Sequence, residues 1–273
     1  MAAAAGAALL ALNLAGIGRS ERSEALSPAL SERPGELLPP DVALSQASRR
    51  AGEPDSTYVR RLTGLVHRSM ISFYPDLRRS PAFRFRVPAT ENYLLWSFAW
   101  LRPSTYRQYE YRVAERAIER GYGACSQFAL ATLDFLTRSG IRASLVSLAD
   151  HVVVQAVDAD GRHWMLDPDY GVSAPLSLAA IAANPESVRA PYVPLVGLGT
   201  RGIADSLPAA MQASFTSRPP RILGSISEPL STIGAVYWLE RLTYFLKWAI
   251  PVALLGWAAL PLRSRWRAVP HRA

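Results

Sequence analysis

The sequence predicts an α+β protein with a membrane-spanning helix at its C-terminal end. Three observations carry this. Apolar residues recur at helical spacing between Val59 and Met70 and again between Cys125 and Ser139. From Ile141 the apolar period becomes two, the mark of strands. Finally, Leu242 to Leu262, "LTYFLKWAIPVALLGWAALPL", is apolar except for Lys247 and long enough to cross a ~30 Å hydrocarbon core.

The chain opens on "MAAAAGAALLALNLAGIG" (residues 1–18), rich in Ala and Gly and without basic residues. This reads as a signal peptide or a short anchor. Residues 19–56, rich in Ser, Pro, Glu and Arg and poor in aromatics, read as a linker. Helical order is expected from about Thr57, where Val59, Leu62, Val66, Met70 and Phe73 form a stripe. His67 lies one position off that stripe and reads as a partly exposed helix residue, not a catalyst. Residues 74–90 carry three prolines and read as a loop. Glu91 to Leu101 reads as an apolar helix too short to cross a bilayer, ended by Pro103. Gln108 to Arg120 reads as a charged helix that Gly121 stops, and Cys125 to Ser139 as the next, stopped by Gly140.

"IRASLVSL", "HVVVQAV" and "RHWMLD" then read as three strands, with "DADG" (Asp158 to Gly161) as the turn between the last two. A helix followed by an antiparallel meander results. A catalytic domain is therefore expected over 57–183, an irregular connector over 184–231, and the membrane helix with its basic tail over 232–273. "RSRWR" follows the apolar run, and the positive-inside rule puts that tail in the cytoplasm and the preceding domain outside; Arg241 and Lys247 at the other end leave the opposite orientation open.

Composition narrows the chemistry. The single cysteine, Cys125, rules out an internal disulfide framework and a paired-cysteine zinc site. The four histidines show no metal-ligand spacing, so neither metal nor cofactor is expected. The net charge of +8 comes from arginines spread along the chain, and no nucleic-acid partner is expected.

The one thiol stands at the mouth of a helix in "GYGACSQFALATLDFL". Free amides of a first helical turn and the helix dipole favour a thiolate there. A nearby imidazole can take the thiol proton, and a carboxylate can orient that imidazole. His151 opens a strand and Asp167 ends the next one. A type I turn with a bulge at Gly161 pairs Asp158 with Arg162, sets His151 opposite Asp169 and makes Asp167 its diagonal neighbour. Register by itself leaves both aspartates open as the acid. The Cys125 N–H is a candidate oxyanion donor, with Gln127 a further candidate; Gly123 is a candidate for close substrate approach.

"GACSQFA" followed by "DHVVVQAVDADGRHWMLDPDYG" resembles the transglutaminase-like superfamily of cysteine enzymes. The likeness covers Glu110 to Val172 and sets Cys125, His151 and the Asp167 of "WMLDP" on the family's triad. It implies a papain-like core, with the cysteine-bearing helix packed on an antiparallel sheet. It also implies acyl transfer through a thioester on a peptide or protein amide, by hydrolysis or by transfer to an amine. The alternative expectation is a catalytically silent binding or assembly protein of the cell envelope, working with proteins of envelope-polymer synthesis or export. No tryptophan immediately precedes Cys125 to support an oxyanion, which leaves Trp96 and Trp100 as distant substitutes.

Overall fold

The computed structural model describes residues 1–19, 22, 37–72, 85–196 and 206–267, the last seven by backbone alone. Phe73, most of the expected loop 74–90, much of the linker and the last residues of the basic tail lie outside the described residues. In chain order the first elements are α1 (Ala2–Gly16), α2 (Pro40–Ala47), α3 (Asp55–Ser69), β1 (Ile71–Ser72), α4 (Ala89–Leu101), α5 (Pro103–Tyr106), α6 (Ala114–Arg120), β2 (Tyr122–Gly123) and α7 (Cys125–Arg138). There follow β3 (Arg142–Ser147), β4 (Val152–Val157), β5 (His163–Asp167), β6 (Val172–Ala174), α8 (Leu178–Ala183), α9 (Leu207–Thr216), β7 (Arg221–Gly224) and α10 (Thr232–Arg267). Two 3-10 turns, Pro185–Val188 and Ala190–Leu195, lie between α8 and α9.

The chain divides into two units. One joins 1–19, 84–109 and 239–273; the other joins 20–83 and 110–238.

The larger unit is built on a five-stranded sheet of order β6-β5-β4-β3-β7, antiparallel at every pairing. Alternation sorts its side chains to two faces. Ala143, Leu145, Val154, Ala156, Trp164 and Leu166 are buried on one face, and α7 packs across β3 and β4. Val146, Val153, Met165 and Ala174 point the other way, into a core completed by Ile181, Val188, Tyr192, Met211 and Phe215. Helices on both faces of an antiparallel sheet make this an α+β fold, in agreement with the change of period at Ile141.

The hairpin between β4 and β5 is organised around the Asp158 carboxylate, with Asp55 Oδ2 accepting the Ala159 amide at 2.8 Å. Asp158 Oδ1 accepts the amides of Asp160 (3.1 Å) and Arg162 (2.8 Å), and Oδ2 accepts the indole N–H of buried Trp164 (2.9 Å). These donors, the Trp164 indole first, hold the Asp158 pKa below the usual carboxylate range. Gly161 takes the left-handed conformation at φ 77°, and Asp158 pairs with Arg162. This sets the register Gln155↔Met165 and Val154↔Leu166 along the hairpin.

Four sequence expectations are corrected here. Residues 184–231 are not an irregular connector: they hold two 3-10 turns, α9 and the edge strand β7, because their apolar residues close the second face of the sheet. The linker 19–56 contains α2, whose Ala43 and Ala47 are buried, and α2 packs against α3. The helix expected over 108–120 begins only at Ala114. Asp134 Oδ2 accepts the Ala114 N–H at 2.8 Å, which starts the helix there, and Gly121 ends it at φ 75°. Residues 84–109, expected within the catalytic domain, belong instead to the unit that holds both chain ends.

In that second unit α1 packs against α4. The backbone of Asn92 is non-helical, and its Oδ1 accepts the amides of Leu94 and Leu95, both at 3.1 Å, as an N-cap does. On α10, Glu240, Thr243 and Lys247 are buried, while Phe245 (67% exposed) and Trp257 (70% exposed) face outward. Glu240 accepts the Tyr109 hydroxyl at 2.8 Å, and Thr243 Oγ1 accepts from Asn92 at 3.1 Å. Polar groups inward and apolar groups outward is the reverse of a water-soluble helix and suits a lipid surround. Thr232–Leu260 of α10 is long and apolar enough to cross a membrane. At 15 residues and ~1.5 Å per residue, α1 is shorter than a ~30 Å hydrocarbon core.

Candidate active site

Local chain geometry brings Cys125 to the head of α7. Gly121 leaves α6 in a left-handed turn, and its carbonyl accepts the Ile71 amide at 2.8 Å. Tyr122 and Gly123 then pair in parallel with Ile71 and Ser72, which fixes the approach to the cysteine. Ala124 is the N-cap and Cys125 the first helical residue, so its N–H precedes the helix's own ladder. The thiol is partly exposed.

His151 stands in the turn before β4, where its carbonyl accepts the Leu148 amide at 2.8 Å. Its Nε2 lies 2.8 Å from Asp167 Oδ2. Asp167 is fully buried, and His151 is 8% exposed. With Nε2 committed to the carboxylate, Nδ1 is the nitrogen left for the thiol, and Cys125 lies close enough to the ring to act on its pKa. Burial depresses the imidazole pKa; the charge and hydrogen bond of Asp167, then the hydrogen bond and charge of Cys125, outweigh it. The result lies well above the ordinary histidine value. The structure thus bonds His151 to Asp167 and sets Cys125 near enough to bear on the imidazole's charge. It also separates the two aspartates that register left open, since Asp167 is the one bonded to the ring.

The other two expected residues are placed differently. Gln127 is fully buried, with its side-chain amide committed to protein partners. It donates from Nε2 to the Tyr111 carbonyl (2.7 Å) and accepts the Tyr111 amide (2.8 Å) and an Arg120 N–H at Oε1 (2.5 Å). It braces 110–111 against α7 and is not the oxyanion donor considered from the sequence. Gly123 is small for this neighbour's sake: a Cβ there would stand 2.3 Å from Gln127 Cβ. The close approach seen at Gly123 is that of Gln127. Trp96 and Trp100 lie on α4 of the other unit, where the Arg86 guanidinium stacks on both rings at 4.8 and 4.2 Å.

Several supporting residues had no sequence signal. Tyr192, from the second 3-10 turn, donates its hydroxyl to Asp167 Oδ2 at 2.7 Å. Tyr170 gives its amide to Asp167 Oδ1 at 3.4 Å, and its ring lies 5.6 Å from that of His151. His67 on α3 reaches the carbonyls of Pro168 (3.2 Å) and Asp169 (2.9 Å) through Nδ1, which must carry the hydrogen since carbonyls only accept. It is a latch on the turn that follows the acid. Ser126 donates to the Glu110 carboxylate beside the thiol. Apart from Tyr170, three residues after the acid, the spacings in sequence run from 16 to over 100 residues and follow no period that could have announced these contacts.

No family model, curated protein or solved structure matches this chain.

Proposed function

We propose that the protein is a membrane-anchored thiol enzyme that transfers acyl groups from a peptide or protein amide, with a Cys125–His151–Asp167 triad of transglutaminase-like type and a papain-like core. The observation that carries the reading is the His151 Nε2–Asp167 Oδ2 contact of 2.8 Å, which leaves Nδ1 for the sulfur at a helix start. A merely structural histidine has no need of that division of its two nitrogens.

The chemistry follows from the parts. Nδ1 of His151 takes the thiol proton and the imidazolium is held by Asp167. The thiolate attacks the amide carbonyl carbon, and the carbonyl π electrons move onto oxygen. That oxyanion accepts from the Cys125 N–H and sits in the positive field of the α7 N-terminus. The tetrahedral species collapses, the C–N bond breaks, and His151 returns its proton to the leaving amine. A thioester remains on Cys125. Water or an amine then attacks it, with His151 as base, and the thiol is regenerated. Burial of Asp167 and Tyr192 keeps the acid end dry, which strengthens each charge contact.

The inverted polarity of α10 supports a membrane anchor, and the arginines after Leu262 support a cytoplasmic tail with the sheet unit outside. The substrate is then an envelope peptide or protein. Trapping tests the reading directly. The detergent-solubilised full chain is incubated with a library of peptide acyl donors and chloromethylketones, and adducts are mapped by mass spectrometry. Adducts on residue 125 that vanish in His151→Ala support it. Labelling of Cys125 no faster than that of the unfolded chain would refute it.

A further inference from the structure

The acid of the triad is shared. Asp167 Oδ2 takes two short contacts, His151 Nε2 at 2.8 Å and the Tyr192 hydroxyl at 2.7 Å. A carboxylate oxygen only accepts, so the phenol is a donor here. Tyr192 is fully buried and its ring is wedged in the second core, edge-on to Tyr170 with centroids 6.0 Å apart. The phenol cannot swing out to another partner without emptying a packed site.

We infer that Tyr192 is a positioning residue of the site: through its bond to Asp167 it fixes the carboxylate and moderates the charge that His151 receives. The inference rests on the functional reading above and deepens it. Two consequences follow from sharing one oxygen. The hydroxyl takes up part of the carboxylate charge, so the imidazolium is held less tightly than by Asp167 alone. A less tightly held imidazolium gives up its proton more readily to a leaving amine, which is the second half of the acyl-transfer step. The phenol is a second anchor on Oδ2 beside the ring, which restrains rotation of the carboxylate when the proton moves. Burial, and then the charge of Asp167, push the Tyr192 pKa well above the ordinary phenol value, so the hydroxyl keeps its proton through the working range.

The test is the titration of His151, read by NMR on histidine-labelled full-length protein in detergent, alongside iodoacetamide labelling of Cys125 at pH 7. Tyr192→Phe keeps the ring and removes the donor. The imidazole midpoint is expected to rise by on the order of one pH unit, because a carboxylate stripped of a donor binds its remaining proton partner more tightly. Should that variant lose its fold, site-specific 3-fluorotyrosine at 192 keeps the shape and donates more strongly; the midpoint is then expected to fall. Fast Cys125 labelling in the wild type with a midpoint unmoved in both variants would overturn the role of Tyr192 and leave the enzyme reading intact. Wild-type labelling at the rate of an ordinary thiol would overturn the enzyme reading, and the role of Tyr192 with it.

Discussion

Ser214 on α9 donates its hydroxyl to Asp150 Oδ1 at 2.5 Å, one residue before His151. The Ser214 carbonyl also accepts the Ala149 amide at 3.2 Å. A helix from the far end of the unit thereby clamps the turn that presents the histidine. Ser214→Ala removes the side-chain half of the clamp. Stability should fall by about 1 kcal/mol, the worth of one such hydrogen bond. Labelling of Cys125 at pH 7 should slow several-fold as the ring loses its fixed position. Thermal unfolding and alkylation kinetics on the same sample check both.

Asp167→Asn swaps an acceptor for a group that can also donate, so the ring is no longer held in the tautomer that leaves Nδ1 free for the thiol. Turnover of any trapped donor should drop by roughly 10²–10⁴-fold. Cys125→Ala should abolish it. Steady-state kinetics on the donor found by trapping provide the measurement, and an Asn variant of wild-type rate would remove Asp167 from the mechanism.

The raised pKa of His151 makes a prediction about stability. A group bound more tightly as a cation in the folded state stabilises it while protonated. That contribution is complete below the unfolded value of about 6.5 and is lost as pH rises through the higher folded value. The difference in melting temperature between wild type and His151→Gln should therefore be largest near pH 6 and shrink toward pH 10. A difference that stays constant over that range would contradict the charged pair.

Gly123→Ala should destabilise the sheet unit by about 1–3 kcal/mol, an overpacking cost. Its Cβ would meet Gln127 Cβ at 2.3 Å and Cγ at 2.5 Å. The loss is expected in chemical denaturation midpoints even without substrate, whereas a residue spared for substrate approach would change only binding.

In the unit holding both chain ends, Asn92→Ala takes away the acceptor for two amides at the head of a short apolar helix. About 1 kcal/mol of stability should go with it, and Asn92→Asp, which keeps the acceptor, should restore part. Thermal unfolding in micelles, followed by helical circular dichroism, would show this.

The parts of the site written in local sequence were legible before any coordinates. Gly121 stopped the helix before the cysteine, and the "DADG" turn set the hairpin register that carries Asp167 to within reach of His151. Alternation along 141–167 assigned the faces of the strands, because a side-chain period of two is a property of the backbone itself. What no local rule could supply was the company those residues keep. Tyr192, Ser214 and His67 reach the site from stretches whose own sequence gives no sign of that contact. Gln127 looked free at a helix start and is instead spent on the Tyr111 backbone. Such contacts are decided by how distant segments close the two faces of one sheet, where burial and packing select partners that sequence distance leaves unconstrained.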